Sequence, residues 1–526
     1  MKRKTVFILL AGFVLIAIML KLSATLFVEP LIRKTIESSF NKENVSYNID
    51  VRRDRIHFFP LGINLENVRF FEHVPDSDST VLAGEFPSIF FNGFHLLKAI
   101  FSHQLIFQQL NIEKGSFSGR ILHPQKSLHA FGLPFSLDIR EINIDSLDFN
   151  LMDSTSTKLY SLSQGKLRAK DFKVLKGDVL AHFTISNFDF SSPEILFHTP
   201  DSLYSFKADS IRYSTQTETL FIPHFQVHPN YKGYDFTSRK RYQTDRIEAV
   251  FSDITLNNFC AEDLLREDRF NASYCEIGKL DLDVFRDRRK EYLHVTKPIF
   301  QDIFYKIPVT INLDSVNLFN GNIVYTEHAE NANHPGTISF SKAKASLYNI
   351  TNDSIHYNSN DTLKLIADAF VSGKGKLHIL ARGKVFDSKN TFVMNGSLSS
   401  MAARDLNHIL NHNAFIYAYG KINALNFGFT ANNSGANGKV LFLYDDLAIR
   451  FKNKTTDDTT GLKERLLTKI ANKKILDANP IKGEASRIGI IEYERDPEKT
   501  FFNYCLKAIF SGIKSSTMKS STNKKG

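Results

Sequence analysis

The sequence predicts a mainly β protein: an elongated, curved antiparallel β-sheet groove, with one N-terminal transmembrane helix and a few short amphipathic helices. Three observations predict it. Apolar and polar residues alternate with a period of two over roughly 400 residues, which is the signature of strands. Turn signals such as Asn-Gly, Lys-Gly and Asp-Ser recur about every 8 to 14 residues, the spacing of an antiparallel meander. The third is a slip of apolar parity at a repeated Asp-Ser step. Ile142 and Ile144 precede Asp145-Ser146, and Leu147, Phe149 and Leu151 follow on the other parity. Phe206 and Ala208 precede Asp209-Ser210, with Ile211 and Tyr213 beyond; Val309, Ile311 and Leu313 precede Asp314-Ser315, with Val316 and Leu318 beyond. One extra residue at each step, a β-bulge, returns the later apolar side chains to the original face and bends the strand.

The elements follow in order. Lys2, Arg3 and Lys4 precede an uncharged run from Thr5 to Leu20, and after Lys21 a second apolar stretch reaches Val28. About 24 residues at 1.5 Å each cross a hydrocarbon core of about 30 Å, whereas the apolar core of a cleaved signal peptide runs to only about 15. Residues 1–28 therefore read as a retained anchor. The three basic residues and the amino group ahead of it outweigh Arg33 and Lys34 behind it, so the amino terminus faces the cytoplasm and the bulk of the chain lies outside, which in a bacterium means the periplasm. Pro30 opens a short amphipathic helix, Leu31 to Phe40, with apolar positions at Leu31, Ile32, Ile36 and Phe40.

From there to residue 452 the pattern is strands, beginning with Val45 to Val51, Ile56 to Phe59 and Ile63 to Phe71. Abundant Phe, 46 residues against no Trp, supplies core material that favours strands. Helical spacing appears only at Phe94 to Ser102, Ile299 to Ile307, Met401 to Asn413 and Leu462 to Ile475. The Thr- and Asp-rich stretch 453–461 reads as a linker that opens a carboxy-terminal segment ending at 514. In that segment Phe501, Phe502, Tyr504, Leu506, Ile509, Phe510 and Ile513 leave little polar surface. The stretch is too short to span a bilayer. Phe501, Phe502, Leu506, Ile509 and Phe510 are candidates for lying in a membrane interface or plugging the end of the groove, and an ordinary core helix is the alternative. Residues 515–526, dominated by Ser, Lys and Thr, read as a disordered basic tail.

The net charge is +10, but the basic residues are scattered among nearly as many acids. A nucleic-acid surface needs a concentrated basic face, so nucleic acid is excluded as a partner, and an anionic membrane surface suits the positive excess. Cys260, Cys275 and Cys505 have neither metal nor redox spacing; two buried free thiols are the reading for Cys260 and Cys275, with a disulfide as the alternative.

The patterns that carry chemistry are incomplete. His408 and His412 stand at i and i+4, yet Ile409 occupies the position of a zinc protease's general base and no third ligand is near. Two solvated histidines is the plainer reading. Glu327, His328, Glu330 and His334 read as a solvated loop, and Gly373 to Gly375 and Gly435 to Gly438 as strand turns. No nucleophile elbow is present. Neither a cofactor nor a metal is implied, and the chain is expected not to be an enzyme.

With the anchor, the helix after Pro30 and the strands in place, the amino-terminal third resembles the AsmA-like proteins, relatives of TamB and of the bridge-like lipid transfer proteins. Phe59-Pro60-Leu61-Gly62-Ile63-Asn64-Leu65-Glu66-Asn67-Val68 is similar to that family's Pro-Gly-Ile-x-Leu-x-Asn-Val strand, and Leu110, Ile112, Gly115 and Phe117 match its Leu-x-Ile-x-x-Gly-x-Phe step. The carboxy-terminal stretch from Asn479-Pro480 to Ser515, with Ile490 to Asp496, resembles the end of Bacteroidetes-type members. The resemblance implies a β-groove fixed in the inner membrane, used in phospholipid transport or outer-membrane maintenance, with no catalytic residues. Its partners are then a phospholipid or other acyl lipid, the inner membrane, and outer-membrane or periplasmic proteins. The groove candidates are Ile142, Ile144, Leu147, Phe149, Leu151, Ile211, Tyr213, Ile311, Leu313, Val316 and Leu318. A structural or assembly factor for outer-membrane protein biogenesis, working through an exposed sheet edge, is the alternative.

Overall fold

The computed structural model describes residues 47–519 apart from 59–60, 74–79, 96–97, 99–103, 121–135, 154–157, 176–182, 306, 355–361 and 455. The expected anchor at 1–28 and the helix at Leu31 to Phe40 lie outside the described residues, as does most of the helix expected at Phe94 to Ser102. Among the described residues no helix is long and apolar enough to cross a membrane. The protein is mainly β, with 22 strands among the described residues.

The chain divides into two units, one holding the residues up to Ser202 with Phe206–Glu218, the other holding Leu203–Ser205 and everything from Thr219. Unit 1 contains β1 (Tyr47–Phe58), β2 (Leu61–His73), β3 (Thr80–Asn92), β4 (Gln104–Ile112), β5 (Gly115–Arg120), β6 (Ser136–Met152), β7 (Lys158–Val174), β8 (Asn187–His198) and most of β9 (Tyr204–Ser214). Unit 2 begins with β10 (Thr219–Pro229), α1 (Gly233–Ser238), β11 (Asp245–Asn257), α2 (Ala261–Glu267), β12 (Arg269–Asp287), α3 (Phe300–Tyr305), β13 (Thr310–Leu318), β14 (Gly321–His328) and β15 (Gly336–Thr351). It continues through β16 (Leu363–Val371), β17 (Gly375–Gly383), β18 (Phe392–Leu398), β19 (Met401–Ala402), a 3₁₀ turn at Ala403–Leu406, α4 (Asn407–Asn413), β20 (Ile416–Ala431), β21 (Gly435–Phe451), α5 (Leu462–Lys474), β22 (Ile488–Glu494) and α6 (Phe501–Thr517).

The pairing corrects the expectation of a purely antiparallel sheet. β4 and β5 run parallel to β6, and β12 runs parallel to β13 and β14. Each parallel pair is joined by a long connection, residues 121–135 in unit 1 and 288–309 in unit 2. A parallel pair cannot be closed by a tight turn and needs a crossover of a dozen or more residues. Apolar periodicity carries no information about strand direction, which is why the parallel pairs were hidden. Several turn signals also sit inside strands: Gly435 to Gly438 opens β21 instead of forming a turn, while Gly373, at φ 69°, does turn the chain between β16 and β17.

The core of unit 2 gathers Phe392, Met394, Leu425, Phe427, Phe429, Val440, Phe442 and Tyr444 under α6, which inserts Tyr504, Cys505 and Ala508. Thr500 caps this helix, its hydroxyl accepting from the Asn503 amide. Gly489 and Gly512 let helix and strand backbones approach: a Cβ on Gly512 would come within 2.6 Å of the Val440 side chain. The helix continues past Ser515, where a disordered tail was expected to begin. Ser516 and Thr517 are buried and turn their hydroxyls back to the carbonyls of Ile513 and Lys514. Such local bonds let small polar residues end a packed helix without apolar content.

Candidate functional site: two creased apolar faces

In unit 1, one cluster gathers apolar residues that step by two along a strand and then by three. The runs are Ile63, Leu65, Val68 on β2; Phe86, Ile89, Phe91 on β3; Leu105, Phe107, Leu110 on β4; Ile139, Ile142, Ile144 on β6; and Leu167, Ala169, Phe172 on β7. A step of three would carry a side chain to the opposite face of a regular strand. Here it does not, because each strand absorbs an extra residue at that level. The register runs straight through: Phe107 faces Ile139 and Ile139 faces Phe172, while Leu110 faces Ile142 and Ile142 faces Ala169. Between these rows Asp171 takes the left-handed conformation, φ 54°, and Asn67 does the same on β2 at φ 52°. Asn and Asp tolerate that region better than other side chains. Bulges shared by neighbouring strands crease the sheet and keep one face apolar across the crease.

A second crease lies at Asp145-Ser146. There the β6–β7 register shifts between Ile144 and Leu147, the bulge expected from the sequence. The break between β4 and β5, at Glu113-Lys114, stands beside it, so that Ile112 faces Ile144 and Gly115 faces Leu147. Gly115 is required by packing: a Cβ there would lie 2.6 Å from the ring of Phe86 and 3.3 Å from Leu147 Cδ1. Phe86 and Phe117 meet edge to face at 5.2 Å, and Phe117 faces Phe149 across the parallel ladder. Ile142 is buried in the cluster, whereas Ile144, Leu147, Phe149 and Leu151 are half-buried. Along this row the face passes from closed core to accessible apolar surface. On β9, Ser210 has φ 56° and burial moves from Ala208 to Tyr213, the parity change expected at Asp209-Ser210; Tyr213 lies 6.0 Å from the ring of Phe188, and Ile211 is half-buried.

Unit 2 repeats the arrangement in the same chain order. β3, β4/β5, β6 and β7 are related antiparallel, parallel, antiparallel, and so are β11, β12, β13/β14 and β15. Cys275 faces Val316, Ile277 faces Leu318, Leu280 faces Gly321 and Leu282 faces Ile323. These rows match Leu110 with Ile142, Ile112 with Ile144, Gly115 with Leu147 and Phe117 with Phe149. At Asp314-Ser315 the expected one-sided bulge is absent. The register passes unshifted from Leu313 opposite Ile350 to Ser315 opposite Tyr348. The slip is shared by the neighbours: Ala272, Leu313 and Ile350 form one row, and Cys275, Val316 and Leu347 the next, with Asn349 left-handed at φ 59° between them. Ile311 pairs with Phe270 one row further out.

The unit 2 face ends in charge. The row after Val284 and Tyr325 on the same parity is Arg286 facing Asp245 on one side and Glu327 on the other. Arg286 Nε lies 3.4 Å from Asp245, Tyr325 donates to Glu327 Oε2 at 2.7 Å, and Asn413 and Arg288 donate to Glu327 Oε1 at 2.7 and 3.1 Å. Burial pushes the Asp245 carboxyl and the Tyr325 hydroxyl up from their ordinary values. The sequence read Glu327 to His334 as a solvated loop, which is corrected for its first two residues. His328 is buried, its Nδ1 accepting from the Tyr234 hydroxyl at 2.7 Å and its Nε2 donating to the Ala332 carbonyl at 2.8 Å. His408 is exposed and His412 half-buried, with its pKa lowered first by burial, and among the described residues no group of potential ligands could hold a metal. A half-open apolar recess of about 60 Å³ lies between Phe300, Leu363, Phe392 and Phe501.

The candidates on α6 separate into two sets. Phe501 and Ile509 pack on the core, while Phe502, Leu506 and Phe510 form an exposed row spaced by four. The cysteines are free. Cys260 donates its amide to Asn271, and Cys275 lies four residues on, about 13 Å along the strand, beyond disulfide reach. Burial pushes the thiol of Cys275 up to about 11 and that of Cys505 up to about 12. Since the thiolate is the reactive form, brief alkylation of native protein at pH 8 is expected to leave Cys505 unmodified and Cys275 nearly so, as peptide mass spectrometry will read. Equal labelling of all three cysteines contradicts this packing. No family model and no curated protein matches this chain.

Proposed function

We propose that the chain is an AsmA-like, inner-membrane-anchored periplasmic protein that holds acyl chains on its creased apolar faces and serves phospholipid transport or outer-membrane maintenance. One observation carries the reading. The same four-strand module occurs twice, and in each the crease pattern keeps a continuous apolar row that is only half-buried along part of its length. In unit 1 that stretch is Ile144, Leu147, Phe149 and Leu151. Ordinary core packing would close such a row. On this reading each face is a stretch of an elongated, curved groove, with head groups left in water. Moving each acyl CH₂ from water onto an apolar face is worth about 0.8 kcal/mol, which offsets the cost of lifting a lipid from its bilayer, and partition alone requires no catalytic group.

The test is extraction. Full-length protein purified from a membrane fraction is expected to carry phospholipid detectable by mass spectrometry, and Phe149→Asp is expected to lose most of it while keeping its circular dichroism. Absence of lipid from the unaltered protein, or unchanged lipid in the variant, overturns the proposal.

A further inference from the structure

The helix α5 is amphipathic the wrong way round. A surface helix ordinarily buries its apolar stripe and shows water its polar one. In α5 the polar stripe faces the protein. Glu464 is buried and accepts from Asn453 Nδ2 at 2.9 Å, the Thr468 hydroxyl accepts the Phe451 amide at 3.0 Å, and Asn472 both accepts the Ile449 amide at 3.0 Å and donates to its carbonyl at 2.9 Å. These contacts cover the end of β21: β22 pairs only with Gly435 to Leu441, Asn479 and Asp477 meet Phe442, Tyr444 and Leu447, and α5 meets Ile449 and Phe451. Satisfying that edge uses the helix's polar residues, and its apolar stripe is left outside: Leu462 is 86% exposed, Leu466 59% and Ile470 45%, with Leu467 beside them.

Charge says what covers the stripe. Lys463, Lys473 and Lys474 are interspersed with these side chains on the same face, Arg465 and Lys469 lie beside it, and the helix's one acid, Glu464, is turned inward. An outward face on which leucine and isoleucine alternate with lysine suits a helix lying in the plane of an anionic bilayer, apolar side chains among the acyl chains and the long lysine stems carrying their ammonium groups up to the phosphates. We infer that α5 is an interfacial helix that docks unit 2 on an anionic phospholipid surface. This does not depend on lipid being held by the creased faces.

The chain contains no Trp, so one introduced Trp reports on this helix alone. Full-length Leu466→Trp protein is reconstituted in phosphatidylcholine vesicles with and without phosphatidylglycerol, using brominated acyl chains as quencher. With phosphatidylglycerol, the emission is expected to shift to the blue and to be quenched. Each of Lys463, Lys469 and Lys473 changed to Ala is expected to weaken the quenched state about fivefold, with circular dichroism unchanged. Emission of a water-exposed Trp without quenching in both vesicle types overturns the inference. So does a blue shift that grows with protein concentration in the absence of vesicles, which would assign the stripe to a second copy of the chain.

Discussion

Tyr504→Ala is expected to cost unit 2 about 3–5 kcal/mol and to free α6 from the sheet. Tyr504 is 2% exposed and is a central contact of the helix with the core, 6.0 Å from the ring of Tyr493 and 6.3 Å from that of Phe392. Its hydroxyl donates to the Asn432 carbonyl at 3.1 Å. Removing the ring leaves a void that neighbours on a glycine-mediated contact cannot fill, because Gly489 and Gly512 already bring the backbones as close as they can pack. Tyr504→Phe loses only the hydrogen bond and is expected to cost about 1 kcal/mol. Denaturant unfolding gives the two values, and amide exchange at Ile488 to Glu494 locates the loss. A Tyr504→Ala protein with unchanged exchange in β22 would show that the helix is not what protects that strand.

Much of this was legible in the sequence. Period-two alternation identified the strands, and the parity slip at Asp145-Ser146 marked a real bulge. What the slip could not show was its neighbours. At Asp314-Ser315 the partner strands slip too, so the register is unbroken and the crease belongs to a row of residues on adjacent strands, which no single stretch of sequence displays. The same three-residue step was present unread at Leu65 to Val68, Phe86 to Ile89 and Phe107 to Leu110, where no Asp-Ser dipeptide drew attention to it. Its signal was there to be found: a residue such as Asn67 that tolerates positive φ, set between apolar residues three apart. The parallel pairs were hidden because alternation is blind to direction. The amphipathic pattern of α5 was visible, but its orientation was not, since hydrophobic periodicity identifies the stripe and only the open edge of β21 decides which side turns inward. The buried His328 was likewise unreadable, because its partner Tyr234 is 94 residues away.

Ile139→Asp is expected to unfold unit 1 at neutral pH, with a loss of more than about 4 kcal/mol. Ile139 is 2% exposed at the centre of the cluster, facing Phe107 on one strand and Phe172 on the other. The substitution deletes a core side chain and leaves a carboxylate with no partner in an apolar row, and burying an isolated charge is costly enough that the group folds only in its protonated form. The sign of the pH dependence follows. Burial raises the folded-state pKa of the new carboxyl above its unfolded value of about 3.9, so the deficit is smallest below that value and grows as pH rises through the folded pKa. Amide exchange in β4, β6 and β7 at pH 4 and pH 7 reads this directly, with greater protection expected at the lower pH. Phe149→Asp, ten residues along the same row but past the second crease, is expected to cost far less, because Phe149 is only half-buried and a carboxylate there keeps part of its water. If the two variants proved equally destabilising, the row would be closed throughout, and Phe149 would be ordinary core with no surface to offer an acyl chain.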